Sequence, residues 1–515
     1  MPSIHLLVFV TIFTKIQSAK ILTVVPQPAY SHHLICHPIH DELIRRGHEV
    51  TYITTHPAYP EGKAPKSLTE VYVGRESQEF WSKNFNLDVF GKRNFRTKGS
   101  NTIVQVTPTL FGMQLGLEKV REAIEREDYD LLILQGWFRS TMLLSHLHNI
   151  PVVKMSSMTM TYDNALTVGA PNHPLYHPSC FQQRLYNLSI SEQILEVYDT
   201  SMAEQVFFDN EDNENAMLRK YYKDMPDLSE LNSNVDLLSL SVQSLWDKNR
   251  PLPPNVVYFG FAHQKPPKPL PKDIQQFMDS SQNGVIYMSF GTNITPSKLP
   301  LHVKNIFLKV LSSLPYDVLW KFDEEFPNCP KNIKTSKWFP QSDIFRHPNL
   351  KLIITQGGLQ TAEEAINAGV PVVCIPFLGD QWLNGENFVH HGVGKMIEVE
   401  HITEELFREA VITVIEDESY RTRMARLRSL VHDHPQPPLQ RIVWWLEYIL
   451  KHGGAKHLRS QAANLSPYVY YEVELLVIVI SLATAILSLI ILSVCYFIKM
   501  VYRMLTVKFN YVEIK

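Results

Sequence analysis

The residues with the most chemical potential fall in one stretch of the chain: Trp338-Phe-Pro-Gln341, then Gln356-Gly357-Gly358, then Gln360, Thr361 and Glu364, and finally Asp380-Gln381. Lys351 to Thr355 is apolar and short enough for a buried strand, Gly357-Gly358 reads as a turn, and Gln360 to Asn367 has helix-forming composition before Gly369-Val370-Pro371 stops it. A strand, a glycine turn and a helix in that order offer free backbone N–H groups and the positive end of a helix dipole to an anion such as pyrophosphate. Ser289, Gly291 and Thr292 end another apolar run and add hydroxyls and backbone N–H groups to a phosphate cradle. Asp380 beside Gln381 places a carboxylate next to an amide, a pair able to hold neighbouring hydroxyls of a sugar. The stretch reads as a nucleotide-sugar site. One of its residues has a second reading, because Thr361-Ala-Glu-Glu364 also has the spacing of a helix capping box.

The elements that must position these groups follow from the apolar periodicity. Ile21 to Val25 and Glu49 to Thr54 are β-rich runs around a helical segment from His33 to Arg46, closed by Gly47. Asp130 to Leu134 and Pro151 to Met155 repeat the pattern around a helix at Ser140 to Leu147. Such alternation predicts a doubly wound parallel sheet. No Gly-x-Gly-x-x-Gly follows the first strand, which counts against a dinucleotide oxidoreductase. Lys265-Pro-Pro-Lys-Pro-Leu-Pro-Lys272 can continue neither helix nor central strand and reads as the start of an interdomain linker at 265–283. Beyond it, runs at Val285 to Phe290, Val318 to Lys321, Leu352 to Thr355 and Val372 to Ile375 predict a second α/β domain. The boundaries expected are 20–264 and 284–452, with the amphipathic helix Gln440 to Lys451 closing the second domain and a stalk at 453–474.

Composition narrows the classes. The 515 residues, 45% hydrophobic, suffice for two domains with sizeable cores, and a net charge of -3 without a basic stripe gives no reason to expect a nucleic-acid partner. Five cysteines make no disulfide framework; only Cys180 and Cys329 lie in loop-like, Pro-flanked surroundings where a bridge could form. His33, His37 and His40 share a helical spacing that could make a metal face, but no cysteine or carboxylate completes a ligand pattern and no metal site is expected. Leu6 to Phe13, followed by small residues up to Ala19, reads as a signal peptide over 1–19. Leu475 to Ile498 is free of charge and long enough to span a bilayer; Glu472 and Glu474 before it and Lys499, Arg503 and Lys508 after it place the tail 499–515 in the cytosol. Sequons at Asn187, Asn293 and Asn464 then lie in a glycosylating compartment, with Asn293 disfavoured by its place beside the phosphate loop.

The motifs Ser289-Phe-Gly-Thr292, Trp338-Phe-Pro-Gln341, Gly357-Gly358, Glu364, Pro371, Pro376 and Asp380-Gln381, in this order and spacing, resemble the signature of the UDP-glycosyltransferases, membrane-bound enzymes that conjugate sugars to small lipophilic molecules. Tyr30-Ser-His32, Asp41 to Val50 and Gly453 to Arg459 are similar too, so the likeness covers nearly the whole chain. It implies the GT-B architecture, two Rossmann-like domains facing a cleft, and a type I membrane protein of the endoplasmic reticulum with its catalytic part lumenal, serving detoxification. It implies that Trp338 stacks on uracil, Gln341 bonds the base or ribose, Glu364 holds the ribose hydroxyls, Asp380 and Gln381 hold the sugar, and Arg250 faces the donor. Gln360 and Thr361 complete the donor set at the head of the helix. It further implies that His32 is the general base in a single displacement with inversion, without a cofactor, the UDP-sugar being a co-substrate.

The chain departs from this family in two places. Gln356 replaces the usual His before the first glycine, and Gln135 stands where an acidic residue usually orients the base. A glutamine could accept the Nδ1–H of His32 but cannot stabilise an imidazolium as a carboxylate does. These departures motivate the alternative of a catalytically impaired UDP-sugar or lipophile-binding protein. UDP-glucose is the donor favoured over UDP-glucuronate, by likeness to invertebrate members; the acceptor and a homo-oligomeric partner stay open.

Overall fold

The computed structural model describes residues 18–84, 91, 100–126, 128–324 and 329–512. The apolar run Leu6 to Phe13 of the expected signal peptide lies outside the described residues. The first sheet contains seven parallel strands: β1 (Lys20–Val25), β2 (Glu49–Thr54), β3 (Leu68–Tyr72), β4 (Leu131–Gln135), β5 (Val152–Ser156), β6 (Val235–Leu240) and β7 (Val256–Tyr258). They lie in the order β3-β2-β1-β4-β5-β6-β7. Six further parallel strands, β8 (Val285–Ser289), β9 (Asp317–Lys321), β10 (Ile333–Ser336), β11 (Leu350–Thr355), β12 (Val372–Cys374) and β13 (Gly394–Met396), form the second sheet in the order β10-β9-β8-β11-β12-β13.

Strands of this kind must be apolar on both faces because helices cover both. In β1, Leu22 and Val24 enter one core with Leu132 and Leu134, while Ile21 enters the other with Leu131 and Ile133. Each sheet reverses its strand order once, between β1 and β4 in the first and between β8 and β11 in the second. The crevice outside the carboxyl ends at such a reversal is where open α/β sheets bind ligands, since adjacent loops there diverge to opposite faces. His32 follows β1 and Gln135 ends β4; Ser289 ends β8 and Gln356 follows β11.

Three expected boundaries change. The Pro-rich run has no regular structure, but Lys272–Ser280 is a helix whose Ile274 and Met278 are buried in the core around β8, so the linker is confined to about 265–271. The helix Pro438–His452 does not close the second domain. Its Ile442, Val443, Leu446 and Ile449 pack with Ile35, Ile39 and Leu43 of the first, and Arg46 Nη1 meets Glu447 at 2.6 Å. At roughly 1.5–3 kcal/mol per buried aliphatic side chain, four such residues outweigh any preference of sequence neighbours for one another. The expected stalk is also partly docked: Ala455 is buried, its N–H donates to Asp236 at 2.7 Å, and Arg459 donates to the carbonyl of Val235 at 3.0 Å.

The compact unit therefore runs to Ala463. Residues 464–515 form a separate unit dominated by one helix, Val473–Val512, which continues through the segment expected as a tail. By length and composition it can cross a membrane. All five cysteines are free thiols, so the bridge considered between Cys180 and Cys329 is not formed.

Candidate active site

The groups singled out in the donor stretch converge on one cavity of about 360 Å³. Trp338, Gln341, Glu364, Asp380 and Gln381 line it from the second domain, and His32, Tyr30 and Ser157 from the first. Ser289, Gly291, Thr292, Asn293, Gln356, Gly358, Gln360 and Thr361 also contribute to its wall. Gly357 sits behind the wall, at φ +88°, and a Cβ there would come within 2.5 Å of Cys374 Sγ, so only glycine fits the turn. Gly291 is favoured by its φ of +72° rather than by space, since the atom 2.2 Å from where its Cβ would be is the mobile end of Gln356.

The helix after this turn begins one residue earlier than expected, at Leu359, with Gly358 as N-cap. A glycine cap has no side chain for the first-turn N–H groups, which are left to a ligand at the positive helix end. The capping-box reading of Thr361 and Glu364 therefore fails. Glu364 instead accepts from Gln341 Nε2 at 2.6 Å, and Gln341 also meets Thr361 Oγ1 at 3.2 Å and the Tyr287 hydroxyl at 3.2 Å. Loss of hydration raises the Glu364 carboxyl pKa, and Asp380 is pushed up to about 6 for the same reason, with Asn384 Nδ2 donating to it at 3.0 Å. Both carboxylates are poised to gain from hydroxyl donors that restore the lost solvation. Trp338 is 58% exposed and edge-on to Tyr30 at 5.8 Å.

Two amides in the donor set are partly committed within the protein. Gln381 Oε1 accepts the N–H groups of Phe377 and Leu378, at 2.8 and 3.0 Å, and so shapes its own loop. Gln360 Nε2 reaches across the cleft to the carbonyl of Ser157 at 2.8 Å. Arg250 is a correction: it lies outside the cavity wall and is buried, its guanidinium bonded to Asp247 at 3.2 Å and to the carbonyls of Pro171, His177 and Pro178. It ties loops of the first domain together and has no donor-facing role.

Lys321 was missed by the sequence reading, although it ends β9 on the ligand-binding edge, where position alone was a signal. Its Nζ donates to the Gly291 carbonyl at 2.7 Å and stands 4.8 Å from the Trp338 ring centre, with its pKa lowered by burial. Lys265 and Lys268 of the Pro-rich run also line the cavity.

On the first-domain side, His32 sits in the short helix Tyr30–Leu34 directly after β1. Its Nδ1 faces the Ser157 hydroxyl in a very short contact and Gln135 Nε2 at 3.2 Å. The role expected for Gln135 changes accordingly: its Oε1 accepts the Gln27 backbone N–H at 3.3 Å, so the group turned to His32 is a donor. Burial lowers the His32 pKa to about 3, well below the ordinary imidazole value assumed from sequence. The ring is neutral near pH 7, as a proton acceptor must be. The helical histidines do not converge on a metal: His33 bonds Tyr52 and Gln27, His37 the carbonyl of His56 at 3.2 Å, and His40 the Thr23 hydroxyl at 3.0 Å.

A second cavity of about 460 Å³ lies within the first domain and shares Ile103, Trp137 and Phe181 with the first. Val104, Met202, Val206 and Phe207 give it a largely apolar wall, while Glu204 and the Arg139–Glu214 pair add polar points. Asn187 is exposed at φ 54°, and Ser189 of its sequon caps the helix Ile190–Asp209. Asn293 lines the donor cavity, where a glycan would compete with ligand.

Two doubly wound parallel-sheet domains meeting at a polar cleft define a GT-B glycosyltransferase. The solved glycosyltransferase of kitacinnamycin shares this fold, with a TM-score of 0.58 over 84% of this chain and 100% of that one at 18% identity. Residues 19–509 match the family described as UDP-glucoronosyl and UDP-glucosyl transferase, and the chain belongs to that family of UDP-sugar-dependent enzymes. It is 28% identical to an ecdysteroid UDP-glucosyltransferase of Spodoptera littoralis nuclear polyhedrosis virus, over 92% of this chain and 96% of that protein. Identity to UDP-glucosyltransferase 2 of Dactylopius coccus is 30%, over 92% of each.

Proposed function

We propose that the enzyme transfers glucose from UDP-glucose to a hydroxyl of a small lipophilic acceptor, with His32 as general base. The observation that carries this reading is that His32 lines the donor cavity with its ring 6.0 Å from that of Trp137, a residue shared with the apolar second cavity. The acceptor occupies the second cavity and presents its hydroxyl to Nε2. As that nitrogen takes the proton, the oxygen forms a bond to the anomeric carbon, the bond from that carbon to the β-phosphate oxygen breaks, and UDP leaves with the electron pair. Attack opposite the leaving group inverts the anomeric centre. Charge growing on UDP is met by the N–H groups at the Leu359 helix head, by Ser289 and Thr292, and by Lys321. Trp338 carries the uracil, Gln341 with Glu364 the ribose, and Asp380 with Gln381 the sugar hydroxyls.

In this reading the enzyme is anchored in the endoplasmic reticulum membrane with the catalytic unit lumenal, where Asn187 and Asn464 take glycans; the charge asymmetry about the apolar helix supports the orientation. The deciding experiment offers UDP-glucose and UDP-glucuronate separately to membranes carrying the chain, with a panel of phenols and lipophilic alcohols, and measures UDP release beside His32→Ala. Turnover with UDP-glucose that disappears in the variant supports the reading. Donor binding without product across the panel would favour the impaired binding protein suggested by Gln135 and Gln356.

A further inference from the structure

A histidine acts as base only when its lone pair faces the substrate, which requires the proton on the other nitrogen to be held by an acceptor. Both hydrogen bonds to the His32 ring among the described residues fall on Nδ1, from Ser157 and Gln135, leaving Nε2 to the cavity. The two partners are not equivalent. The Gln27 backbone N–H can only donate, so it fixes the side of the Gln135 amide that carries oxygen. The Gln135 NH₂ group then donates to Gln27 Oε1 at 3.1 Å and turns its remaining proton toward His32. A donor at Nδ1 favours the wrong tautomer, with the proton on Nε2. The Ser157 hydroxyl can accept, and it is the closer group.

Ser157 is itself fixed from the opposite domain. It is 3% exposed, and its carbonyl accepts from Gln360 Nε2 at 2.8 Å. Gln360 is the second residue of the helix whose head faces the donor cavity. A chain of two hydrogen bonds therefore runs from the donor helix through one residue to the imidazole.

We infer that Ser157 is the positioning residue of the reaction: its hydroxyl accepts the Nδ1–H of His32 and so keeps the Nε2 lone pair on the acceptor, while Gln360 holds Ser157 in register from the donor domain. The inference rests on His32 being the base. It also explains how the chain works with an amide in place of the expected acid. A hydroxyl selects the tautomer without adding charge, and the imidazolium formed during transfer is held by dipoles alone.

The test measures kcat and KM of the full membrane-bound chain for UDP-glucose and one accepted alcohol. Ser157→Ala is expected to lower kcat about 10²-fold, on the scale of a general base left in the wrong tautomer, with KM for the donor within about twofold. Ser157→Cys, which keeps the volume but substitutes a weak acceptor, is expected to fall similarly, whereas Ser157→Thr, which keeps the hydroxyl, recovers most of the rate. Gln135→Ala is expected to cost less than Ser157→Ala. A Ser157→Ala rate equal to the parent's, or a larger loss from Gln135→Ala, overturns the assignment while His32→Ala remains inactive. An active His32→Ala would instead remove the base on which it depends.

Discussion

The donor half and the acceptor half of the cleft are built on opposite plans. In the second domain the cavity groups sit at the ends of successive strands and on the loops and helix heads that follow them, from Ser289 and Lys321 through Gln341 and Gln360 to Asp380, and the Glu364 carboxylate is satisfied by the Gln341 amide. In the first domain the groups come from segments far apart in sequence, and buried charge does the framing: Lys154 Nζ meets Asp163 at 2.8 Å, and Arg139 Nε meets Glu214 at 2.6 Å. A common ligand part can be read by a fixed backbone, while a variable acceptor needs a wall whose side chains can change. Buried pairs add little net stability, but they hold irregular loops in one arrangement.

Acid should separate the halves most strongly. Burial lowers His37 to about 4 and His40 to about 3, and both belong to the first domain. Because the folded pKa lies below the unfolded value near 6.5, their contribution is complete above that pH and is lost as pH falls toward 4, at about 1.4 kcal/mol per histidine and pH unit. Thermal melting from pH 7 to pH 4 should show a steep fall, and hydrogen exchange at pH 5 should release β1 and β2 before β8 and β11. Equal loss in both sheets would break the comparison.

His32→Ala follows in size, with an expected loss of about 10²–10⁴-fold in kcat. Next, Arg139→Leu leaves Glu214 buried without its partner, and a loss of about 3–5 kcal/mol is expected in denaturant unfolding. Burial already holds the Glu214 pKa up at about 7, so the variant should recover part of the loss at pH 5.5, where the acid is neutral. The smallest effect belongs to the donor half: Trp338→Ala should raise KM for the UDP-sugar by the equivalent of about 1–3 kcal/mol of base stacking, with kcat little altered. A large fall in kcat instead would mean that Trp338 orders the reacting groups through its contact with Tyr30.

These contrasts also mark how far the sequence could be read. The strand at 350–355, the glycine turn and the following helix were legible because backbone conformation and dipole direction depend on near neighbours, and the Trp338 and Asp380 motifs flank that unit, one after the preceding strand in the chain and one after the next. Arg250 was misassigned because its partners at 171–178 lie more than 70 residues away along the chain. The helix 438–452 was placed in the wrong domain because an amphipathic pattern shows that a face must be buried but not against what.

By itself the sequence determined two α/β domains, the donor stretch and its family, an apolar helix long enough for a membrane, and His32 as the candidate base. The domains and the apolar helix follow from local periodicity and turn chemistry, whereas the family and His32 as its base follow from the resemblance that the ordered motifs carry. Only the tertiary structure decided which atoms meet Nδ1 of that histidine. Ser157 and Gln135 are 125 and 103 residues away from it, and the sense of the Gln135 amide is set by a single backbone N–H on the neighbouring loop. Hydrogen-bond direction at a buried ring depends on the closed network around it, and that network exists only once both sheets and the cleft between them have formed.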